Sequence, residues 1–125
     1  MLEKNFGIEI EFTGITRARA LDIVADHLND GVLTERGRDY VMALDGRKWK
    51  VVSDGSINVE SKDGRACESC ELVSPILNYR RDIEGLQELV RKLRRAGAMV
   101  NGSCGIHIHL DGADHTARSI RNFVN

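Results

Sequence analysis

Two short segments of this chain, Gly7-Ile8-Glu9-Ile10-Glu11-Phe12 and Gly105-Ile106-His107-Ile108-His109-Leu110, alternate apolar and polar residues without a break. A period of two belongs to a half-buried β-strand, since successive side chains leave opposite faces of the pleat. Phe6, Ile8, Ile10 and Phe12 therefore share one face of the first strand, and Glu9 and Glu11 point from the other. In the second strand Ile106, Ile108 and Leu110 enter a core while His107, His109 and Asp111 stand opposite. Such strands demand a sheet with one dry and one wet face. Taken singly, each polar pair is what alternation supplies to any wet face. Two carboxylates and two imidazoles on the same face are also the donor set of a divalent-metal site. The glycine before each pair, Gly7 and Gly105, lets another backbone or a ligand approach closely, or simply kinks the strand entry.

Between these strands the chain alternates helix and strand signals. Thr16 is placed to cap a helix reaching about Asn29, with Ala20, Leu21, Val24, Ala25 and Leu28 as its apolar stripe, and Asp30-Gly31 stops it. Tyr40 to Leu44 and Lys48 to Val52 flank Asp45-Gly46, which predicts a β-hairpin. A further turn at Asp54-Gly55-Ser56 precedes a strand expected over Ile57 to Glu60, and another strand is expected around Cys70 to Val73, ended by Pro75. Ile83, Leu86, Leu89, Val90 and Leu93 recur at helical spacing from about Asp82 to Arg95, with Gly97 at the C-terminal stop. Ala98 to Val100 reads as a short strand, and Thr116 to Val124 as the opening turns of a helix. Antiparallel strands with helices gathered on one face give an α+β layer, expected to be a single domain over residues 1–125.

Composition narrows the function classes. A chain of 125 residues, 42% hydrophobic, can bury one core. A net charge of -1 excludes the diffuse basic surface of a nucleic-acid binder, and the run Arg91-Lys92-Arg94-Arg95 lies on a helix as a solvated face. No apolar run spans a bilayer and no signal-peptide core opens the chain, so the expected location is the cytoplasm. An odd count of 3 cysteines agrees with free thiols in a reducing compartment.

Period also places Glu71 on the face opposite Cys70 and Leu72. A carboxylate inside an apolar strand is costly to bury alone and compensated when it holds a cation. Oxygen-rich ligation suits Mg²⁺ or Mn²⁺, with histidine as a supplement. A competing zinc set is Cys67-x-x-Cys70 with Cys104-x-x-His107, which has local ligand spacing but puts Cys70 on the face away from Glu71. Trp49 reads as a core or rim residue of the sheet, and His27 and His115 as surface residues.

With these residues laid out, their order resembles the amidoligase family: Phe-Gly-Ile-Glu-Ile-Glu-Phe, Trp49 to Ser56, Glu71-Leu-Val-Ser-Pro-Ile-Leu77, a helix ending at Gly97-Ala98, then Asn101-Gly-Ser-Cys-Gly-Ile-His-Ile-His109. That family sits among the carboxylate–amine ligases that include glutamine synthetase and glutamate–cysteine ligase. The resemblance implies a glutamine-synthetase-like half domain and an ATP-dependent, amide-forming reaction through an acyl phosphate. By the family pattern Glu9, Glu11, Glu71 and His107 match metal ligands for Mg²⁺ or Mn²⁺, His109 lies nearer the ATP phosphates, and Asp54 and Ser56 border the substrate or nucleotide pocket. The partners implied are small-molecule or peptide carboxylates and amines, with neither nucleic acid nor membrane. Family members continue past the His-x-His strand, so the chain is expected to represent the N-terminal portion of such a domain, one that a second copy could complement as a homo-oligomer. Two other classes stay open at this point: a zinc-stabilised module without catalysis, built on Cys67, Cys70, Cys104 and His107, and a metal-dependent hydrolase using the same wet face.

Overall fold

A computed structural model describes residues 4–110 together with Arg118 and Ser119. In chain order the elements are β1 (Asn5–Phe12), α1 (Arg17–Asn29), β2 (Tyr40–Met42), β3 (Lys48–Val52), β4 (Cys70–Val73), β5 (Leu77–Asn78), α2 (Tyr79–Arg95), β6 (Ile106–Leu110) and β7 (Arg118–Ser119). One antiparallel sheet runs in the order β2-β3-β4-β1-β6-β7, with β5 pairing beside β4 on β1. The two alternating segments are neighbours: Ile8 pairs with Ile108, Glu9 with His107 and Gly7 with His109.

Each element follows from its residues. Thr16 caps α1 by accepting the Arg19 N–H at 3.1 Å, and Asp30 in the left-handed region (φ 48°) closes it. Asn78 caps α2 by accepting the Arg81 N–H at 3.0 Å, while the Asp82 carboxylate accepts the N–H of Asn78 at 2.7 Å. The two bonds satisfy opposite partners in the manner of a capping box. Ile8, Ile10, Leu72, Val51, Trp49 and Val41 face the helices, which fill the dry side with Leu21, Val24, Leu86, Leu89 and Leu93. All of these are buried, and each such side chain contributes roughly 1.5–3 kcal/mol relative to exposure. The mixed α+β layer expected from the pattern is present, and no helix among the described residues is long and apolar enough to cross a membrane.

Several expectations are corrected. Ile57 to Glu60 is not a strand. Ile57 is buried as an anchor, but the Asn58 N–H goes to Ser103 Oγ, the Asn58 carbonyl accepts from Asn101, and the Glu60 N–H goes to Thr13 Oγ1. Side chains satisfy the backbone there, so no ladder is needed. Pro75 ends β4 as expected, yet pairing with β1 resumes two residues later in β5, and the Asn78 cap starts α2 at Tyr79 and not Asp82. Ala98 to Val100 forms no strand, only a single bridge between Met99 and Thr13. At that crossing Gly14 (φ 96°) and Gly97 (φ 115°) lie so close that a β-carbon on Gly14 would stand 2.3 Å from the Gly97 carbonyl oxygen. Of the helix expected over Thr116 to Val124, Arg118 and Ser119 are extended and pair with β6; the rest, with Asp111 and His115, lies outside the described residues. His27 is not a plain surface residue: it bridges the helices, with Nε2 3.0 Å from the Gly85 carbonyl and Nδ1 3.1 Å from Lys92 Nζ.

Candidate metal centre

The side of the sheet away from the helices carries a compact acidic grid. Register puts Glu11 of β1 opposite Glu71 of β4, Val52 of β3 opposite Glu71, and Glu9 opposite His107 of β6. Two residues beyond Val52 the chain turns at Asp54, whose carboxylate returns over the same face. Carboxylate oxygens of Glu11, Asp54 and Glu71 all come within 4.8 Å of one another. Glu11 is buried, and Asp54 and Glu71 are half-buried.

Two of the three carboxylates are held from behind by hydrogen bonds. Glu11 Oε1 accepts the Gly105 N–H at 2.8 Å, and the Glu11 N–H in turn donates to the Gly105 carbonyl at 3.0 Å. Its other oxygen faces His107 Nε2 at 3.8 Å. Asp54 Oδ1 accepts both the N–H (2.9 Å) and the hydroxyl (2.7 Å) of Ser56, and the Asp54 N–H donates to Ser69 Oγ at 3.2 Å. Beside this cluster Glu9 and His109 form a second pair, 3.6 Å apart and more exposed.

Charge is unevenly shared among the three acids. Burial, then the hydrogen bond and the charge of Asp54, push the Glu11 carboxyl up, against the Gly105 N–H and His107, which pull it down. Burial also raises Glu71, joined by repulsion from Glu9, Asp54 and Glu11. Asp54 is held below the usual carboxylate range, first by the Ser56 hydroxyl and N–H and then by Glu11. Asp54 thus stays ionised while Glu11 and Glu71 resist it, which is the electrostatic condition of a site that gains from a bound cation. Its donors are hard oxygens, matching Mg²⁺ or Mn²⁺ in chemistry, with one imidazole at the rim.

Of the residues expected at a site, the fold brings Glu11 and Glu71 together and sets His107 against Glu11, whereas Glu9 pairs with His109 outside the tight group. Asp54, expected at the border of a substrate or nucleotide pocket, is one of the three converging acids, and Ser56, exposed beside it, bonds its carboxylate. Alternation could not reveal this, because Asp54 lies in a turn; the register of Val52 with Glu71 is the signal. The cysteine set is not gathered. Cys70 is fully buried on the dry side with its thiol toward the Ile15 carbonyl, pushed up to about 12 by burial, while His107 is on the wet side. Among the described residues the three acids are the group with metal-holding geometry.

No curated protein and no solved structure matches this chain. One family model does, the one described as "Putative amidoligase enzyme", over residues 2–125. Both alternating strands, the turn at Asp54 and the strand bearing Glu71 fall inside that match, and the chain therefore belongs to the amidoligase family.

Proposed function

We propose that this chain supplies the cation and nucleotide platform of an ATP-dependent carboxylate–amine ligase. The observation that carries the reading is the convergence of Glu11, Asp54 and Glu71 within 4.8 Å on the open face of an amidoligase-family sheet. In this reading those acids hold Mg²⁺ or Mn²⁺, His107 completes the shell beside Glu11, and the Glu9–His109 pair lies toward the phosphates of ATP. Ser56 fixes the Asp54 rotamer through its two hydrogen bonds.

The chemistry accounts for the residue types. A carboxylate is inert to amines at neutral pH until one of its oxygens attacks the γ-phosphorus of ATP, releasing ADP and leaving an acyl phosphate. The amine nitrogen then attacks the acyl carbon, the C–O bond to phosphate breaks, and the nitrogen loses a proton. In the first step two anions must meet, and the bound cation would neutralise that charge. The chain's own part is to fix the carboxylates rigidly: the Gly105 N–H orients Glu11 and the Ser56 hydroxyl orients Asp54, so no reorganisation accompanies reaction. Small-molecule or peptide acids and amines are the substrate class, and a cytoplasmic setting supplies the ATP.

Phosphate release from Mg²⁺-ATP decides the matter. The ligase reading expects ADP, phosphate and amide in equal amounts only when a carboxylate and an amine are both present, from a panel of amino acids and short peptides. Phosphate released without the amine marks a hydrolase instead, and failure of Mg²⁺-ATP to bind removes the reading.

A further inference from the structure

Behind the Glu11 cluster, the Asn101 amide ties together the two loops that frame it, beside the bond from the Asn58 N–H to Ser103 Oγ at 2.8 Å. Asn101 uses its whole hydrogen-bonding capacity. Oδ1 accepts the Ser103 N–H at 3.0 Å and the Ser103 hydroxyl, closing the turn Asn101–Cys104, in which the Cys104 N–H also returns to the Asn101 carbonyl at 3.0 Å. Nδ2 donates across to the other loop, to the Asn58 carbonyl at 2.9 Å and to Glu60 Oε1 at 3.0 Å. An amide with two acceptor and two donor positions filled has no spare valence.

Each loop leads to the acids. The Asn101 turn delivers Gly105, whose N–H grips Glu11 Oε1. The segment held by Asn58 and Glu60 starts from Asp54, four residues before Asn58, and is pinned on its far side to the fully buried Thr13 through the Glu60 N–H. We infer that Asn101 is a positioning residue: by locking the two loops together it sets the spacing between the Glu11 and Asp54 carboxylates, and hence the cation affinity. This rests on the cation reading of the cluster. Outer partners that orient ligands of a metal typically change affinity by 10–100-fold when removed.

Charge chemistry supplies a reversible test. Asn101→Asp keeps the acceptor that closes the turn, loses both donors and faces Glu60 with a like charge. Adding Glu60→Gln returns a donor from the opposite side, re-forming one loop-to-loop bond with its direction reversed. With Mn²⁺ as probe on the intact chain, Asn101→Asp should weaken binding at least about tenfold and the Asn101→Asp/Glu60→Gln pair should recover most of it. Thr16→Ala, which removes the α1 cap, serves as the control: it lowers the melting temperature and leaves Mn²⁺ affinity unchanged. Wild-type affinity in Asn101→Asp, or no recovery in the pair, overturns the inference. If the wild type itself binds no Mn²⁺, the cation reading fails separately. The positioning claim is then judged by amide hydrogen exchange at Gly105: faster in Asn101→Ala but not in Thr16→Ala supports it, and an unchanged rate overturns it.

Discussion

Glu71 sits among repulsions: it is half-buried, and Glu9, Asp54 and Glu11 all push its carboxyl up after burial has done so, with His107 alone pulling the other way. A raised carboxyl binds its proton more tightly folded than unfolded. Stability is then greatest in acid and falls as pH rises through the raised value. Glu71→Gln removes that loss while keeping the shape of the side chain. In metal-free protein the variant should therefore melt above the wild type at about pH 8 and together with it at about pH 3, below the unfolded glutamate value, where Glu71 carries its proton in both states. Thermal melts at the two values check this, and a variant no more stable at the alkaline end contradicts it. At this scale the sequence was a good guide wherever period applies. Glu9, Glu11, Glu71 and His107 lie on strands whose alternation fixes their face. Asp54 lies where the period has ended, and its membership of the cluster depends on which strand β3 pairs with, a long-range fact that no local pattern contains.

At the scale of elements, the corner between the β2–β3 turn and the start of α2 illustrates how local signals combine. Arg47 donates in parallel to the two oxygens of Asp82, at 3.0 and 3.1 Å, and also to the Ile76 carbonyl at 3.2 Å. Asp82 simultaneously accepts the Asn78 N–H, so one carboxylate caps α2 and clamps the hairpin to it. Burial alone would raise Asp82, but Arg47, the Asn78 N–H and Arg81 outweigh it and hold the carboxyl below its usual range. For a depressed carboxylate the contribution is full above the unfolded value and disappears as pH falls through the folded one. Asp82→Asn should thus cost about 2 kcal/mol at neutral pH, and the gap to wild type should narrow in acid as Asp82 itself becomes protonated. Denaturant titrations at neutral and acidic pH measure this; an equal gap at both would refute it. The Thr16 cap of α1 and the Asp45-Gly46 hairpin are legible because caps and turns act within a few residues, whereas the Asn78 cap that starts α2 is not among the sequence expectations. The two-residue β5 and the irregular run from Ile57 to Glu60 are not legible, since β5 pairs with the start of β1, and Asn58 and Glu60 send their N–H groups to Ser103 and Thr13, all 40 or more residues away in sequence.

For the molecule as a whole, the sheet divides the work. Its dry face is closed by α1 and α2, and its wet face is left to chemistry, with acids drawn from β1, the turn after β3 and β4. Those acids repel one another, so the core contacts on the opposite face must hold them together, and a divalent cation is what would relieve the repulsion. Mn²⁺ titration of the intact chain, followed calorimetrically, is the most direct test of this account. It predicts saturable binding that Asp54→Asn abolishes, while Asp63→Asn, which alters an exposed carboxylate of the same loop that pairs with Arg65, binds as the wild type does. Equal binding by all three proteins, or no binding by the wild type, would contradict it.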